Sequence, residues 1–189
     1  TVSCGNSLNH AMASAVNMLG DVHGGAGEQC LEMMQKVKEL LDQGGRLEES
    51  VSEEIANHRQ TKGKYIPGFG HRFHKPEDPR APRLMKLVSD AEGDKIISGN
   101  FMRIGLEIQR QLSQGKSTGI AMNIDGATAV IFGELGFAPP LARGLFCLSR
   151  SVGILAHAWE QKNQGGRNKG PTPPEFLWNY SGKNPLTEG

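Results

Sequence analysis

The chain has 189 residues, a net charge of +1 and 37% hydrophobic residues. This hydrophobic share is sufficient for a folded core, and the length allows one large domain or two small ones, so a disordered protein is excluded. The balanced charge offers no overall attraction to nucleic acid or to an anionic membrane. Binding of an anion would therefore need a local cluster of basic residues.

Cysteine usage and hydropathy indicate a cytoplasmic protein. The three cysteines, Cys4, Cys30 and Cys147, are odd in number and far apart, which fits neither a disulfide framework nor a zinc site. No uncharged apolar run approaches the ~20 residues that cross a bilayer, and no signal peptide is visible. We expect no metal site. The chain opens on Thr1 inside a predicted helix, as expected of a piece processed or cut from a longer protein.

The apolar spacing in the first third of the chain is helical. Residues 3–18 are small and apolar, which predicts a buried helix in close contact with its neighbours. Apolar residues at helical spacing predict an amphipathic helix over 28–41, and the glycine pair at 44–45 ends it. The Ser-x-x-Glu run at 50–53 has the spacing of a capping box and predicts a short helix through about Arg59.

A long irregular loop is predicted over residues 65–82, because its four prolines cannot occupy helix interiors. Loops of this length are usually functional. The overlapping segment 62–86 carries seven Lys or Arg residues against two acidic ones. This local basic cluster is either a solvated loop or the place where an anion binds.

Helical spacing resumes after the loop. Helices are predicted over 83–92, 96–112 and 125–135, and the most apolar helix follows a Pro-Pro pair and covers 141–159. The tail from 164 onward is rich in Gly, Pro and Asn and is predicted to be extended. Since alternating strand-like runs are hard to find, the fold class is predicted to be all-α.

Two runs look like nucleotide-binding motifs but lack a required glycine. Residues 115–118 match the end of a phosphate-binding loop, but Arg110 stands at the position of its first glycine. Residues 68–70 begin a dinucleotide fingerprint, but Phe73 replaces the third glycine. We interpret both as chance matches.

Three short glycine-containing runs each carry one acid–base residue. His23 lies in Val-His-Gly-Gly-Ala, His71 ends Pro-Gly-Phe-Gly-His, and Asp125 lies in Asn-Ile-Asp-Gly-Ala. Two histidines and one carboxylate are the components needed to take a proton from carbon and stabilise the enolate that results. Their small neighbours leave room for a substrate. The set therefore points to carbonyl chemistry.

Each of these residues also has an ordinary structural explanation. Asp125 precedes Gly-Ala-Thr-Ala, where an Asp commonly caps a helix. His23 fits a turn, and His71 fits a loop in which the backbone satisfies the imidazole.

Arg150 interrupts an apolar helix, where an unpaired guanidinium is unfavourable, so it needs an anion from this chain or from a ligand. His157 and Trp159 are interpreted as packing residues.

Five ordered blocks together resemble the citrate synthase superfamily, which includes citryl-CoA lyases and the C-terminal lyase module of ATP-citrate lyase. The blocks lie at 22–26, 67–71, 78–80, 123–125 and 149–161. The resemblance covers nearly the whole chain. It implies an all-α fold in which a large and a small domain close over the substrates, with the active site formed in a homodimer.

The resemblance also implies a division of the chain. Residues 1–23 correspond to the large-domain helix that leads to the active site, 24–130 to the small domain, and 131–189 to the return to the large domain and the C-terminal tail.

The resemblance assigns catalytic roles to matching positions. Asp125 is similar to the base that takes a proton from the methyl of acetyl-CoA, which requires burial to raise its basicity. His23 is similar to the donor that bonds the thioester oxygen as it becomes an enolate. His71 is similar to the group that polarises the ketone of oxaloacetate, or holds the matching hydroxyl of a citryl group.

The resemblance also assigns the binding of carboxylates and coenzyme A. Arg80 and Arg150 are similar to arginines that hold substrate carboxylates, and Arg167 is the nearest substitute for an arginine in the family's tail. The residues implied for coenzyme A are Gly68, Gly70, Arg72, His74, Lys75 and Lys116. No permanently bound cofactor is expected, since a coenzyme A thioester is the substrate.

Two features set this sequence apart from the family pattern. Only 22 residues precede His23, whereas the family supplies a further substrate-binding histidine from upstream. The Arg-Pro pair of the family's tail is also missing. The run at 123–127 is closer to the lyase branch, which predicts cleavage of citryl-CoA to acetyl-CoA and oxaloacetate. The alternatives are a citrate or methylcitrate synthase, and a catalytically silent dimerisation module that binds coenzyme A.

Overall fold

The computed structural model describes residues 1–74, 77–168, 170 and 175. Across these residues the regular structure is helical, which confirms the all-α prediction. A short 3-10 helix, Val2–Cys4, comes first. The α-helices are α1 Leu8–Asn17, α2 Ala26–Asp42, α3 Leu47–Thr61, α4 Ala81–Gly93, α5 Asn100–Ser113, α6 Ile124–Glu134 and α7 Pro139–Asn163.

Helix α2 is the centre of the hydrophobic core and packs against α3, α5, α6 and α7. Its apolar residues recur at helical spacing, so Leu31, Met34 and Val37 are all fully buried. Ile104 and Ile108 of α5 join them. Helix α6 contributes small side chains to this core, which allows its backbone to approach α2 closely.

Helix α1 differs from the buried helix predicted over 3–18. Among its residues only Ala11 is buried, and Met18 at its end is 78% exposed. The helix packs along α7, so one face is covered and the other is open in this chain. The small apolar residues were read correctly as a contact surface, but the prediction of burial was wrong.

The start of α3 also differs from prediction. The helix begins at Leu47 instead of at the predicted capping box, and Arg46 at the cap position makes no side-chain cap hydrogen bond. Ser50 is instead buried in the first turn, where the space beside Gly45 is filled by its hydroxyl.

Helix α5 begins four residues later than predicted, because its amino end is capped from another helix. The carboxylate of Glu134 in α6 accepts hydrogen bonds from the backbone N–H groups of Gly99 at 3.0 Å, Phe101 at 2.7 Å and Met102 at 3.2 Å. A cap supplied across the fold leaves no local sequence signal.

The loop before α4 is joined to the start of α6 by a short antiparallel pairing. The N–H of Gly70 donates to the carbonyl of Ala121 at 2.7 Å, and the N–H of Asn123 donates to the carbonyl of Gly68 at 3.0 Å. The side-chain amide of Asn123 also donates to the carbonyl of Gly70 at 2.7 Å. These bonds fix the loop that carries His71 against the helix that carries Asp125.

The pairing brings two glycine backbones into contact. A Cβ at Gly126 would lie 2.3 Å from the carbonyl oxygen of Gly68, and a Cβ at Gly68 would lie 2.6 Å from the sulfur of Cys30. Gly68 also has a φ of 84°, which side-chain-bearing residues rarely adopt. Glycine at both positions is therefore required by the packing of the protein itself.

Helix α7 carries an exposed apolar stripe. Leu148 is 66% exposed and Val152 75% exposed, and Leu141, Leu155 and Trp159 continue the same face. None of the described helices combines the length and apolarity needed to cross a membrane. Exposed apolar stripes of this kind are typical of contact surfaces.

We expect Gly126→Ala to destabilise the fold, because the added methyl overlaps the carbonyl of Gly68 and the backbones must separate. The loss should be about 2 kcal/mol or more, within the range for overpacked cores. Urea denaturation of the full chain measures it. Gly144→Ala in α7 is the matched control: its Cβ meets nothing within 4 Å, so better helix propensity should raise stability by up to ~1 kcal/mol. Equal effects at the two positions would contradict the close approach.

Candidate active site

Asp125 lies in the first turn of α6, but it is not the residue that caps the helix. The side-chain oxygen of Asn123 accepts hydrogen bonds from the N–H of Asp125 at 2.9 Å and of Gly126 at 3.2 Å. The explanation of Asp125 as a helix cap is therefore wrong. An Asn two residues before Asp125 was a visible cap signal that the sequence reading did not use. The carboxylate of Asp125 is left available for another role.

The pKa of Asp125 is raised above its ordinary value. Burial is the main cause, because a half-buried carboxylate loses solvation when it ionises. The positive charges of Arg150 and Arg80 and the neighbouring imidazole of His71 act in the opposite direction, and the negative charge of Asp78 adds to the increase. The structure thus brings three of the predicted site residues within electrostatic reach of Asp125.

His71 is held in one tautomer by its own loop. Its Nδ1 atom lies 3.0 Å from the backbone N–H groups of both Phe73 and His74, so Nδ1 is the acceptor. The proton of the neutral ring is consequently assigned to Nε2, which can donate a hydrogen bond. The ring of His74 packs beside that of His71 with centroids 4.4 Å apart. A crevice of about 250 Å³ opens beside both rings.

Asp78 links Arg80 to the start of α6. It is 1% exposed, and its Oδ1 accepts from the N–H of Arg80 at 3.1 Å and from Nε at 2.8 Å. Its Oδ2 accepts from Nη2 of Arg80 at 2.7 Å and from the N–H of Ile124 at 3.0 Å. These bonds to Arg80 hold the pKa of Asp78 well below its usual range. The Nε edge of Arg80 is thus already occupied, and only the outer end of its guanidinium remains for a ligand.

Arg150 is exposed, so the alternative of a buried salt bridge within this chain does not apply to it. Its guanidinium lies over the ring of Phe146 at 4.4 Å from the centroid, and Nη1 is 3.4 Å from the hydroxyl of Ser149. Among the described residues it forms no salt bridge with a carboxylate. Its charge nevertheless lowers the pKa of Asp125. The guanidinium is held by stacking and is free to meet an anion.

His23 lies in an exposed turn at the edge of a cleft of about 880 Å³. Arg150 lines the same cleft as His23, and its charge also acts on the carboxylate of Asp125. His157 also lines the cleft and is exposed, and Trp159 is 54% exposed, so neither packs into the core of this chain. The remaining lining comes from the 3-10 helix, α1 and α7.

Arg167 is tied to the beginning of the chain. Its neighbour Asn168 donates a backbone hydrogen bond to the carbonyl of Ser3 at 2.9 Å, and Ser3 lines the cleft beside His23. The charge of Arg167 is not among those that act on Asp125. Arg167 is therefore next to a residue that contacts the beginning of the chain, and its charge does not join that of Arg80 in acting on Asp125.

The residues predicted to bind coenzyme A separate into different positions. Gly68 and Gly70 serve the pairing with residues 121–123, and Gly68 is buried. Arg72 and His74 are exposed on the loop, and Lys75 lies outside the described residues. Lys116 lines a groove of about 440 Å³, whose other lining residues are Arg59, Lys64, Tyr65, Ile66, Phe69, Leu112 and Ile120.

Sequence reasoning missed Arg59 and Tyr65 in this groove, whereas Lys64 belongs to the predicted basic cluster. Arg59 and Lys64 bring their positive charges close to Lys116, and Tyr65 adds an aromatic surface. The basic cluster was read only from residue 62 onward, and Arg59 had been counted as the end of a helix. In the described part of the chain, no three His, Cys, Asp or Glu side chains lie close enough together to hold a metal ion.

Sequence comparison identifies the family of this chain. The family described as "Citrate synthase, C-terminal domain" matches residues 1–171. The citrate synthase of Acidithiobacillus ferridurans is 30% identical over 166 residues, which cover 86% of this chain and 40% of that protein. The chain belongs to the citrate synthase family. It spans about 40% of the length of this curated relative.

Solved structures place the same fold in lyases as well. The citryl-CoA lyase from Hydrogenobacter thermophilus matches with a TM-score of 0.76 at 32% identity, covering 97% of this chain and 67% of that one. The ATP citrate lyase of Methanosaeta concilii in complex with (3S)-citryl-CoA matches with a TM-score of 0.67 at 25% identity, covering 96% of this chain and 30% of that one. The predicted citrate synthase-like helical fold is confirmed.

We expect Asp78→Asn to destabilise the fold by about 1 to 2 kcal/mol at pH 7, because it weakens the hydrogen bonds of a buried carboxylate while its partner Arg80, at 46% exposure, stays solvated. The folded-state pKa of Asp78 is lowered, so its contribution is present above the unfolded pKa of about 4 and is lost as the pH falls towards the folded value. The difference between wild type and variant should therefore shrink below about pH 4. Urea denaturation at a series of pH values tests this.

The matched control for Asp78→Asn is Asp90→Asn, which removes an exposed carboxylate that pairs with Lys86 at 2.9 Å on the surface of α4. It should change stability little at any pH. A pH-independent loss at Asp78 would mean that shape, and not charge, is what residue 78 supplies.

Proposed function

We propose that this chain is the C-terminal portion of an enzyme that makes or cleaves the carbon–carbon bond between acetyl-CoA and oxaloacetate. The observation that carries the proposal is the set of charges around Asp125, a half-buried carboxyl of raised pKa with Arg80, Arg150 and His71 near it. A carboxylate made more basic by burial is suited to remove a proton from a weak carbon acid.

The two histidines supply the remaining groups. His71 can donate a hydrogen bond from Nε2 to the oxygen of a ketone. As a neutral imidazole it polarises the carbonyl by this hydrogen bond. His23 is placed at the cleft edge, where it could bond the thioester oxygen as an enolate forms. In synthesis, Asp125 takes a proton from the methyl carbon, which then attacks the ketone carbon.

Cleavage runs through the same groups in reverse. The citryl hydroxyl, held by the Nε2–H of His71, releases its proton to solvent, the carbon–carbon bond breaks to give the ketone of oxaloacetate, and His23 stabilises the enolate of acetyl-CoA. The carboxyl of Asp125 then delivers one proton to the enolate carbon. Arg150, held over Phe146, is available for a carboxylate of the oxo-acid.

Within this reaction we favour citryl-CoA cleavage, with citrate or methylcitrate synthesis as the alternative. The run Asn-Ile-Asp-Gly-Ala at 123–127 supports cleavage, and so does the likeness to a citryl-CoA lyase at 32% identity. Curated citrate synthases are similar at 30% identity, which supports synthesis to the same degree. Assays with each substrate decide between cleavage and synthesis.

The groove lined by Arg59, Lys64 and Lys116 is suited to the nucleotide part of coenzyme A. Three positive side chains can meet phosphates, while Tyr65 and Phe69 offer apolar and aromatic surface to a base. The same loop carries His71 six residues after Tyr65. A thioester anchored in this groove would have its reacting end directed towards the His71 loop.

Incubation of the intact protein with citryl-CoA, and separately with acetyl-CoA and oxaloacetate, tests the function. Release of acetyl-CoA and oxaloacetate from citryl-CoA supports the lyase, and citrate formation supports the synthase. Turnover with propionyl-CoA alone would favour a methylcitrate synthase. Tight binding of coenzyme A without product from any acyl-CoA would favour the catalytically silent dimerisation module and overturn the enzymatic proposal.

We expect Asp125→Asn to lower kcat by about 10³-fold, since it removes the group that transfers the proton. Stability should respond differently. A carboxyl whose pKa is raised in the folded state destabilises the fold when it ionises. Wild type should therefore lose stability as the pH rises from the unfolded pKa of Asp125 to its raised folded pKa, and the variant should not. At pH 7 the variant should be at least as stable as wild type.

Steady-state kinetics and urea denaturation measure the two effects of Asp125→Asn. Asp94→Asn, which alters an exposed carboxylate at the end of α4, is the control and should change neither quantity. Retention of full activity in Asp125→Asn would remove Asp125 from the mechanism.

We also propose that the protein is a homodimer that uses the exposed stripe on α7. Large apolar side chains at 141, 148, 152, 155 and 159 are unusual on a surface that stays in water. Leu148→Glu should convert the dimer to a monomer in analytical ultracentrifugation, because a carboxylate would be buried at the contact. Glu160→Lys, which lies off this stripe, should leave the mass unchanged. A monomeric wild type would contradict the proposal.

A cytoplasmic location is proposed on the cysteines. Cys4, Cys30 and Cys147 are all free, and burial together with the charge of Asp125 raises the pKa of the Cys30 thiol, which keeps it protonated. Free thiols of this kind suit a reducing compartment.

A further inference from the structure

One arginine connects the turn that carries His23 to two helices. Nη2 of Arg143, in α7, donates to Oδ1 of Asp21 at 2.5 Å, and its Nε forms an ion pair with Glu28 in the first turn of α2. The side chain of Glu28 is 13% exposed and that of Arg143 is 28% exposed, so the pair is largely shielded from water. Three segments of the chain therefore meet at a single guanidinium.

The backbone of this turn is closely packed on both sides. A Cβ at Gly25 would lie 2.9 Å from Cα of Asp21 and 3.1 Å from Nη2 of Arg143. On the other side, a Cβ at Gly24 would lie 3.2 Å from Cβ of Leu19 and 3.2 Å from the ring of Phe146. The turn therefore has little room to shift while Arg143 stays in place.

Hydrogen bonds complete the turn. The N–H of Gly20 donates to the carbonyl of His23 at 2.9 Å, and the side-chain amide of Gln29 donates to the carbonyl of Asp21 at 3.1 Å. The imidazole of His23 is itself exposed and faces the cleft. Its position is consequently determined by the turn and not by contacts of its ring.

We propose that Arg143 is a positioning residue for His23: it holds Asp21 and Glu28 together and so fixes the turn that presents the imidazole to the cleft. The proposal rests on the proposed function, in which His23 bonds the thioester oxygen. Arginine suits this task because Nε and Nη2 engage two different carboxylates at once, whereas a lysine presents a single point charge. Without Arg143 the two carboxylates would lose their shared cation, and the turn would lose its link to Glu28 at the start of α2; Asp21 is 76% exposed, so the remaining repulsion is weakened by solvent.

A second ion pair, which does not include Arg143, lies beside this cluster. Lys62 is 3.4 Å from Glu32, and both line the same cleft of about 540 Å³ as Asp21 and Arg143. Lys62 therefore already has its own carboxylate partner. This leaves Arg143 as the cation that joins the turn to α2.

The test compares Arg143→Gln and Arg143→Lys with wild type in the intact protein. If wild type turns over citryl-CoA or acetyl-CoA, both variants should lose about tenfold to 100-fold in kcat, since a displacement of about 1 Å at a catalytic group has effects of this size. KM for the thioester should change less than threefold, because Arg143 does not line the groove proposed for coenzyme A. Arg46→Gln is the matched control: it removes an exposed arginine paired with Glu49 at 3.1 Å and should change neither value.

A readout without turnover separates this proposal from the proposed function. The imidazole resonances of His23, assigned with His23→Gln, should be sharp in wild type and shifted or broadened in Arg143→Gln, while those of His71 stay in place. This holds even if no substrate is turned over.

Two results would overturn the positioning role. One is an unchanged His23 resonance together with unchanged kcat in both variants. The other is a loss of unfolding stability with an unchanged His23 resonance, which would assign Arg143 to stability alone. If Arg143→Gln does not fold, Arg143→Lys retains the charge and carries the same comparison.

Discussion

The site depends on the contact between two glycine backbones, Gly68 in the loop that ends at His71 and Gly126 in the first turn of α6. No side chain fits between them, so the carbonyl of Gly68 lies directly against the helix. Asn123 secures this contact with every polar group it has: its backbone and amide donate to the loop, and its oxygen caps α6. As a result, His71 and Asp125 belong to one rigid unit although 54 residues separate them in the sequence.

His23 belongs to a different part of the structure. Its turn is held between α2 and α7, and the cleft it faces is lined by α1 and α7. The acid–base groups thus come from two regions that meet along α2. The position of α7 relative to the core therefore affects His23 more directly than it affects His71 or Asp125.

Much of this arrangement could be predicted from the sequence, because local signals determined it. Apolar spacing located α2 and α6, the prolines located the loop before α4, and glycine-flanked acid–base residues marked the site. Signals that arise only across the fold were not available. No local pattern encodes three contacts that shape the structure: Glu134 caps α5, Asp78 pairs with Arg80, and Arg150 stacks on Phe146. Asn123 was the exception, since its cap spacing was visible but was assigned to Asp125.

The two arginines near Asp125 couple the strength of this base to the occupancy of the neighbouring space. While Arg80 and Arg150 are unliganded, their charges draw the pKa of Asp125 down against the effect of burial. An anion that neutralised them would leave the desolvation of Asp125 unopposed, and the carboxylate would become a stronger base. By thermodynamic linkage, protonation of Asp125 would in turn tighten the hold on that anion. In the proposed reaction, electrostatics would therefore favour arrival of the dianionic oxo-acid before proton abstraction begins, without any movement of the backbone.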